Sequence, residues 1–194
     1  IEACIKLYQD GFNEKWLRSA GQLAYYTVEN FQNSATGFFY YTDKKQHELV
    51  VRKMEMSDNV MPASNSAMAR NFFYLGKYFE NPEYSDTAAK LADHFSEQIR
   101  KNAGFFSNWA LLSLELEFCN TELVITGPDA DKISEKAHRL FLPGVLIAGT
   151  KKESEMPLLK NRFKSGETLI YVCKNKVCSE PVKNMEIALK LLGE

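Results

Sequence analysis

Apolar residues recur three and four positions apart through the first 118 residues, then gather in short continuous runs. Ile1–Gln9 reads as the end of a helix, with Asp10-Gly11 as its stop. Asn13 caps a second helix whose Leu17, Ala20, Leu23, Ala24, Val28 and Phe31 share one face. A third starts at Ser64 and carries Met68, Phe72, Leu75 and Phe79. Asn81-Pro82 starts a fourth, lined by Ala88, Leu91, Ala92, Phe95 and Ile99 and running to about Lys101. Gly104 breaks it, and Phe105, Trp109, Leu112 and Leu116 line a fifth.

One stretch breaks the helical rhythm. Gly37–Thr42 and Glu48–Lys53 are aromatic and β-branched, with a polar turn between them, and predict an inserted β-hairpin. Beyond Cys119 the texture changes. Glu122–Thr126, Val145–Ala148 and Leu169–Cys173 are strand candidates. Ile133, Ala137 and Leu140 mark a short helix between the first two, and Met185, Ala188, Leu189 and Leu192 mark a closing one. The expected organisation is mainly α: helical hairpins over 1–118, then a small, mainly parallel α/β unit over 119–194.

Composition narrows the function classes. Hydrophobic residues at 45% and charged residues at 25% belong to a folded chain, not a disordered one. A formal net charge of −1, with both signs interspersed, argues against a nucleic-acid partner. No apolar run approaches the ~18 residues of a membrane span, and nothing reads as a signal peptide. Four cysteines are too few for a secreted disulfide scaffold, so a reducing, cytoplasmic compartment is expected. The chain enters a helical pattern at once from Ile1, as an excised or processed piece would.

The densest polar cluster runs from Arg52-Lys53 through Glu55 and Asp58 to Ser64-Asn65, between a strand and a helix start. Glu55 and Asp58 are the candidate acid and base, with Arg52, Lys53, Ser64 and Asn65 as substrate-binding groups suited to sugar hydroxyls. The competing reading is structural: Asp58 and Asn65 satisfy loop backbone, and Arg52 pairs with a carboxylate. Cys173 and Cys178 are redox candidates, able to form a disulfide or supply two metal ligands; packed, reduced thiols are the expected state. No metal site is expected, because Cys4, Cys119, His47, His94 and His138 lie at no ligand spacing. Gly127-Pro128-Asp129 lacks the glycine repeat and lysine of a phosphate loop, so no cofactor is expected. The aromatic residues, 12% of the chain, suit a sugar-lined cleft or an ordinary core equally well.

Three segments together carry a family resemblance: Leu49–Asp58, Pro62-Ala63-Ser64-Asn65-Ser66, and Tyr171–Val182. The chain resembles the C-terminal part of the thioredoxin-domain-containing, spermatogenesis-associated-protein-like family. That family's pattern has an aromatic hairpin, an Arg-Lys pair, an aspartate and Pro-Ser-Gly-Asn; here Pro62-Ala63-Ser64-Asn65 departs from it slightly. Tyr171, Val172, Cys173, Lys174, Asn175, Cys178, Pro181 and Val182 match its C-terminal pattern. The resemblance implies an N-terminal thioredoxin-like domain outside this chain. It also implies helices similar to part of the six-hairpin (α/α) toroids of glycosidases and N-acylglucosamine 2-epimerases. Half a toroid leaves apolar faces uncovered, so the piece would self-associate or rearrange its hairpins. The epimerases' catalytic histidines have no counterpart here. Three functions follow as expectations: carbohydrate binding with Arg52, Glu55, Asp58 and Asn65 at a cavity mouth, a non-catalytic scaffold, and electron exchange between Cys173–Cys178 and the thioredoxin-like domain.

Overall fold

The computed structural model describes residues 1–46 and 51–193. About half of the chain is helical, and a small four-stranded mixed sheet completes it. The chain divides into two compact units, each assembled from separate stretches.

The first unit holds residues 1–2, 18–77 and 81–116. Most of helix α2 (Lys15–Phe31) and of α3 (Ser64–Phe79) belongs to it, with α4 (Pro82–Asp93), α5 (Ser96–Asn102) and nearly all of α6 (Ser107–Phe118). Local chemistry explains the boundaries. The Asn81 side chain accepts hydrogen bonds from the Glu83 and Tyr84 amides, and Pro82 follows at the first turn. The single helix expected from Asn81-Pro82 to about Lys101 is interrupted at His94–Phe95. Phe95 there stacks on Trp109 at 4.4 Å and lies edge-on to Phe38 at 5.8 Å, so packing of its ring sets the local backbone. Phe38, Phe39, Phe72, Phe95 and Trp109 are all buried and form an aromatic core in this unit. The Trp109 indole donates to the Met56 carbonyl at 2.7 Å.

The predicted hairpin is reduced among the described residues. Gly37–Thr42 forms no regular strand, and only the single antiparallel bridges Gln32↔Phe39 and Tyr40↔Met54 occur. The reason is that the Phe39 amide and carbonyl are both bonded by the Asn65 side chain, which takes the place of a neighbouring strand. Glu48–Val50 of the expected second strand and His47 lie outside the described residues.

The second unit holds residues 3–17, 78–80 and 117–194. Strand β1 (Thr121–Thr126) is central, in the order β2 (Val145–Thr150), β1, β3 (Leu169–Lys174), β4 (Val177–Cys178). Helix α7 (Ala130–His138) connects β1 to the parallel β2. The expectation of a mainly parallel unit is corrected here. β3 runs antiparallel to β1, because the irregular segment 151–168 returns the chain without a crossover helix. Helix α8 (Met185–Leu192) lies against β3.

Two tyrosines secure the outer edge of β2. The Tyr8 hydroxyl, on helix α1 (Glu2–Gly11), donates to the Gly149 carbonyl at 3.0 Å and accepts from its amide at 3.1 Å. Tyr78 donates to the Ile147 carbonyl at 2.9 Å and accepts from Gln9 at 2.8 Å. An edge strand exposes unpaired backbone groups, and these hydroxyls cover them. Position 149 must be glycine, because a Cβ there would lie 2.5 Å from both the Phe12 ring and the Ile125 carbonyl oxygen. Helix α1 includes Gly11, and Phe12 takes the left-handed position (φ 53°) that the sequence assigns to glycine.

Candidate functional site

Helix α3 begins after Ala63, which has no side-chain oxygen to cap it. The loop before it supplies the oxygens instead. Glu55 Oε2 accepts the Ser64 amide at 3.0 Å, and Asp58 Oδ1 accepts the Ala63 amide at 2.9 Å. Asp58 Oδ1 also accepts the Ser66 hydroxyl at 2.6 Å, and Oδ2 accepts the Asn108 amide in the first turn of α6 at 2.8 Å. One carboxylate, 1% exposed, therefore bridges the N-terminal ends of two helices, where backbone N–H groups and the helix dipoles favour negative charge. The Asp58 amide donates to the Phe105 carbonyl at 2.8 Å, which ties the loop to the approach of α6 a second time.

The polar chain continues beyond Asp58. Ser66 accepts from the Asn108 side-chain amide at 3.0 Å, and Asn108 Oδ1 accepts from Arg70 at 3.1 Å. Arg70 grips Glu115 through two nitrogens, at 3.0 and 2.6 Å, and Tyr74 donates to the same carboxylate at 2.7 Å. Burial acts to lower the proton affinity of Arg70, and the Glu115 carboxylate outweighs it, so the guanidinium is held above its ordinary value. Arg70 and Tyr74 are four apart on α3 and share a face. None of Ser66, Arg70, Tyr74, Asn108 or Glu115 stands out in the sequence as a site residue. The i, i+4 spacing of Arg70 and Tyr74 is the one local clue.

The predicted site residues divide between these roles. The structure gathers Glu55, Asp58, Ser64 and Asn65 at the start of α3, with Asn65 also donating to the Glu55 carbonyl at 2.9 Å. Arg52 lies apart, stacked over the Tyr40 ring at 4.0 Å and donating to the Thr42 carbonyl. Among the described residues its partners are thus a ring and backbone rather than the carboxylate that the sequence reading pairs with it. Lys53 is exposed, and its carbonyl accepts the Tyr41 amide at 2.8 Å. Arg52 Nε and Ser64 Oγ are buried without a hydrogen-bond partner among the described residues. A shallow cleft of about 160 Å³ does occur in this unit, but Gln32, Gly37, Phe38, Thr87, Lys90 and His94 line it, not Glu55 or Asp58.

In the second unit Cys173 and Cys178 stand directly opposite on β3 and β4 and are joined as a disulfide. The expected packed, reduced thiols are corrected accordingly. Asn175 (φ 49°) and Lys176 (φ 66°) form the two-residue turn between the strands, and left-handed values at both positions are what a tight hairpin turn demands. Cys4 and Cys119 take part in no disulfide among the described residues. His138 is exposed and its ring lies 3.1 Å from the Gln9 carbonyl; His94 lies edge-on to Phe38 at 5.1 Å. Among the described residues, no three His, Cys, Asp or Glu side chains are grouped to hold a metal ion, and no helix is long and apolar enough to cross a membrane.

No protein-family model matches the chain. It is 25% identical over 194 residues to an uncharacterised protein of Caenorhabditis elegans, with 96% of this chain covered. It is 23% identical over 204 residues to spermatogenesis-associated protein 20 of Homo sapiens, with 99% covered. In each case the match spans 26% of the relative, so the chain corresponds to about a quarter of the length of these curated proteins. The chain is a distant homologue of both, along nearly its whole length.

Proposed function

We propose that this chain is a structural segment of a longer, thioredoxin-domain-containing protein, in which its helices form part of an (α/α) toroid. In this reading the 52–66 loop locks two of those helices in register and performs no acid–base chemistry. The observation that carries it is the use of Asp58: its two oxygens accept three donors, two of them backbone amides at helix starts. A carboxylate so engaged has little capacity left for substrate, and Glu55 serves the same helix start. Any carbohydrate ligand of the complete toroid would be held by groups other than these two.

Helix α6 supports the toroid part of the reading. Its apolar residues are not confined to one stripe: Trp109 and Leu112 are buried, while Leu111 and Leu114 remain 43% and 54% exposed. A helix apolar on more than one side is built to be covered on more than one side.

The test is Leu111→Asp with Leu114→Asp, made both in this chain and in the longer protein. The longer protein should lose several degrees of melting temperature, because a charge is forced into a packed interface. The isolated chain should keep its melting temperature and associate less. Equal destabilisation of both forms, or of neither, would refute the reading. A glycan-binding screen of the longer protein with Glu55→Gln addresses the rival: loss of a sugar ligand without loss of stability would return Glu55 to a binding role.

A further inference from the structure

We infer that Cys173–Cys178 is a thiol–disulfide exchange site for a dithiol reductant, with Cys178 as the attacked sulfur and Cys173 as the leaving thiolate. The inference rests on the sheet unit alone and is independent of the toroid reading.

The hairpin pattern places the pair where exchange has consequences. Ser179 donates its amide to the Val172 carbonyl at 2.9 Å, so the 172/179 pair is hydrogen-bonded. The next pair, Cys173 and Cys178, is then a non-hydrogen-bonded one, in which side chains on adjacent strands approach most closely. No backbone bond spans the strands at that pair, so breaking the disulfide releases side chains without breaking the ladder.

The two sulfurs also differ in surroundings. Cys173 is fully buried, whereas Cys178 is partly exposed beside the exposed Val177 and Lys176. Arg162 donates from Nη1 to Cys173 Sγ at 3.4 Å and is held over the Tyr171 ring at 5.6 Å. A disulfide sulfur gains little from a guanidinium, but a thiolate gains a charge-assisted hydrogen bond. The cation therefore favours the state in which Cys173 has left. Glu122, on the neighbouring strand β1, is the register partner of Cys173.

The chemistry balances as a two-electron exchange. A thiolate of the dithiol attacks Cys178 Sγ; the Cys173–Cys178 bond breaks, and its electron pair leaves on Cys173, facing Arg162. The second thiol of the reductant, as its thiolate, attacks the reductant's own sulfur in the mixed disulfide. The Cys178 thiolate departs, and the reductant is released as its cyclic disulfide. The protein gains two electrons and, on protonation of the two thiolates, two protons.

The test uses the folded, oxidised protein and dithiothreitol. Reduction should proceed without unfolding, as read by alkylation and mass spectrometry alongside circular dichroism. Arg162→Gln should slow it about tenfold, the effect expected of losing one charge-assisted bond to the leaving group. A brief pulse of a monothiol on the unsubstituted protein, trapped and mapped by peptide, should place the adduct on Cys178. That mapping needs no variant, so it holds even if Arg162→Gln fails to fold. A pair that resists dithiothreitol until the protein unfolds, an adduct on Cys173, or an unchanged rate in folded Arg162→Gln would each overturn the proposal.

Discussion

Asp58 and the Cys173–Cys178 pair are the two most chemically loaded positions in the chain, and the fold treats them in opposite ways. Asp58 is surrounded by donors that exist whatever its partners do: two amides at helix starts and a hydroxyl one turn along. Its reactivity is spent on geometry. Cys173 faces one cation, and its partner Cys178 is partly exposed on β4, one residue pair in from a two-residue turn. Burial is alike in the two places, since Asp58 is 1% exposed and Cys173 not at all. What differs is whether the surrounding groups favour the present state or the next one. A buried polar group is a structural element when its partners already satisfy it, and a candidate for chemistry when a partner would satisfy its product better.

The largest expected effect lies at Asp58. Asp58→Ala strands three donors in the interior and should cost about 4 kcal/mol by urea denaturation. Asp58→Asn, which keeps one acceptor oxygen, should cost clearly less. Were Asp58→Ala to cost under about 1 kcal/mol, the contrast with the cysteine pair would collapse.

Next comes Tyr8, whose hydroxyl meets both backbone groups of Gly149. Tyr8→Phe leaves both unsatisfied and should cost about 1–3 kcal/mol. Burial pushes the Tyr8 phenol well above its ordinary value of 10.0, against the pull of the Gly149 amide. The folded state thus keeps a proton that the unfolded state releases. The resulting stabilisation is complete below pH 10 and falls by about 1.4 kcal/mol per pH unit above it, until the folded value is reached. Tyr8→Phe should flatten that alkaline slope in denaturation curves measured from pH 9 to 11.

Glu55→Ala should be milder, about 1 kcal/mol, because it removes one helix-start acceptor from a half-buried position. The smallest effect belongs to the exposed pairs Asp131–Lys151 and Glu167–Lys183. The hydrogen bond from Lys151 holds Asp131 below the usual carboxylate range, and Lys183 does the same for Glu167. Carboxylates so lowered stabilise the fold above their unfolded values and lose that contribution as pH falls through the folded ones. Lys151→Met should slightly reduce the drop in melting temperature below about pH 4.

Locally encoded features could be read from the sequence. Asn81-Pro82 carries its own cap, and Glu122–Thr126, a run of apolar residues closed by Gly127-Pro128, shows as a buried strand in the residues themselves. The direction of β3 could not be read, because it depends on how residues 151–168 return, a segment with no periodic pattern. Among the described residues the hairpin is reduced for a related reason: aromatic composition predicts extended chain, but the partner of Phe39 is an amide side chain 26 residues away. The polar loop was visible as a cluster and ambiguous as a site. The residue that decides between its two readings, Asn108, is separated from Asp58 by 50 positions, and Glu115 from Arg70 by 45. The two cysteines were legible as a pair, but their contrast was not, since Arg162 reaches Cys173 from outside the hairpin.

Native-state hydrogen exchange at the Ala63 and Asn108 amides tests the structural role of Asp58 most directly. If one carboxylate holds both helix starts, both amides should exchange only with global unfolding, at the opening free energy of the α3 interior. Fast exchange at either amide, orders of magnitude ahead of that interior, would show the carboxylate free of that helix start and available for other work.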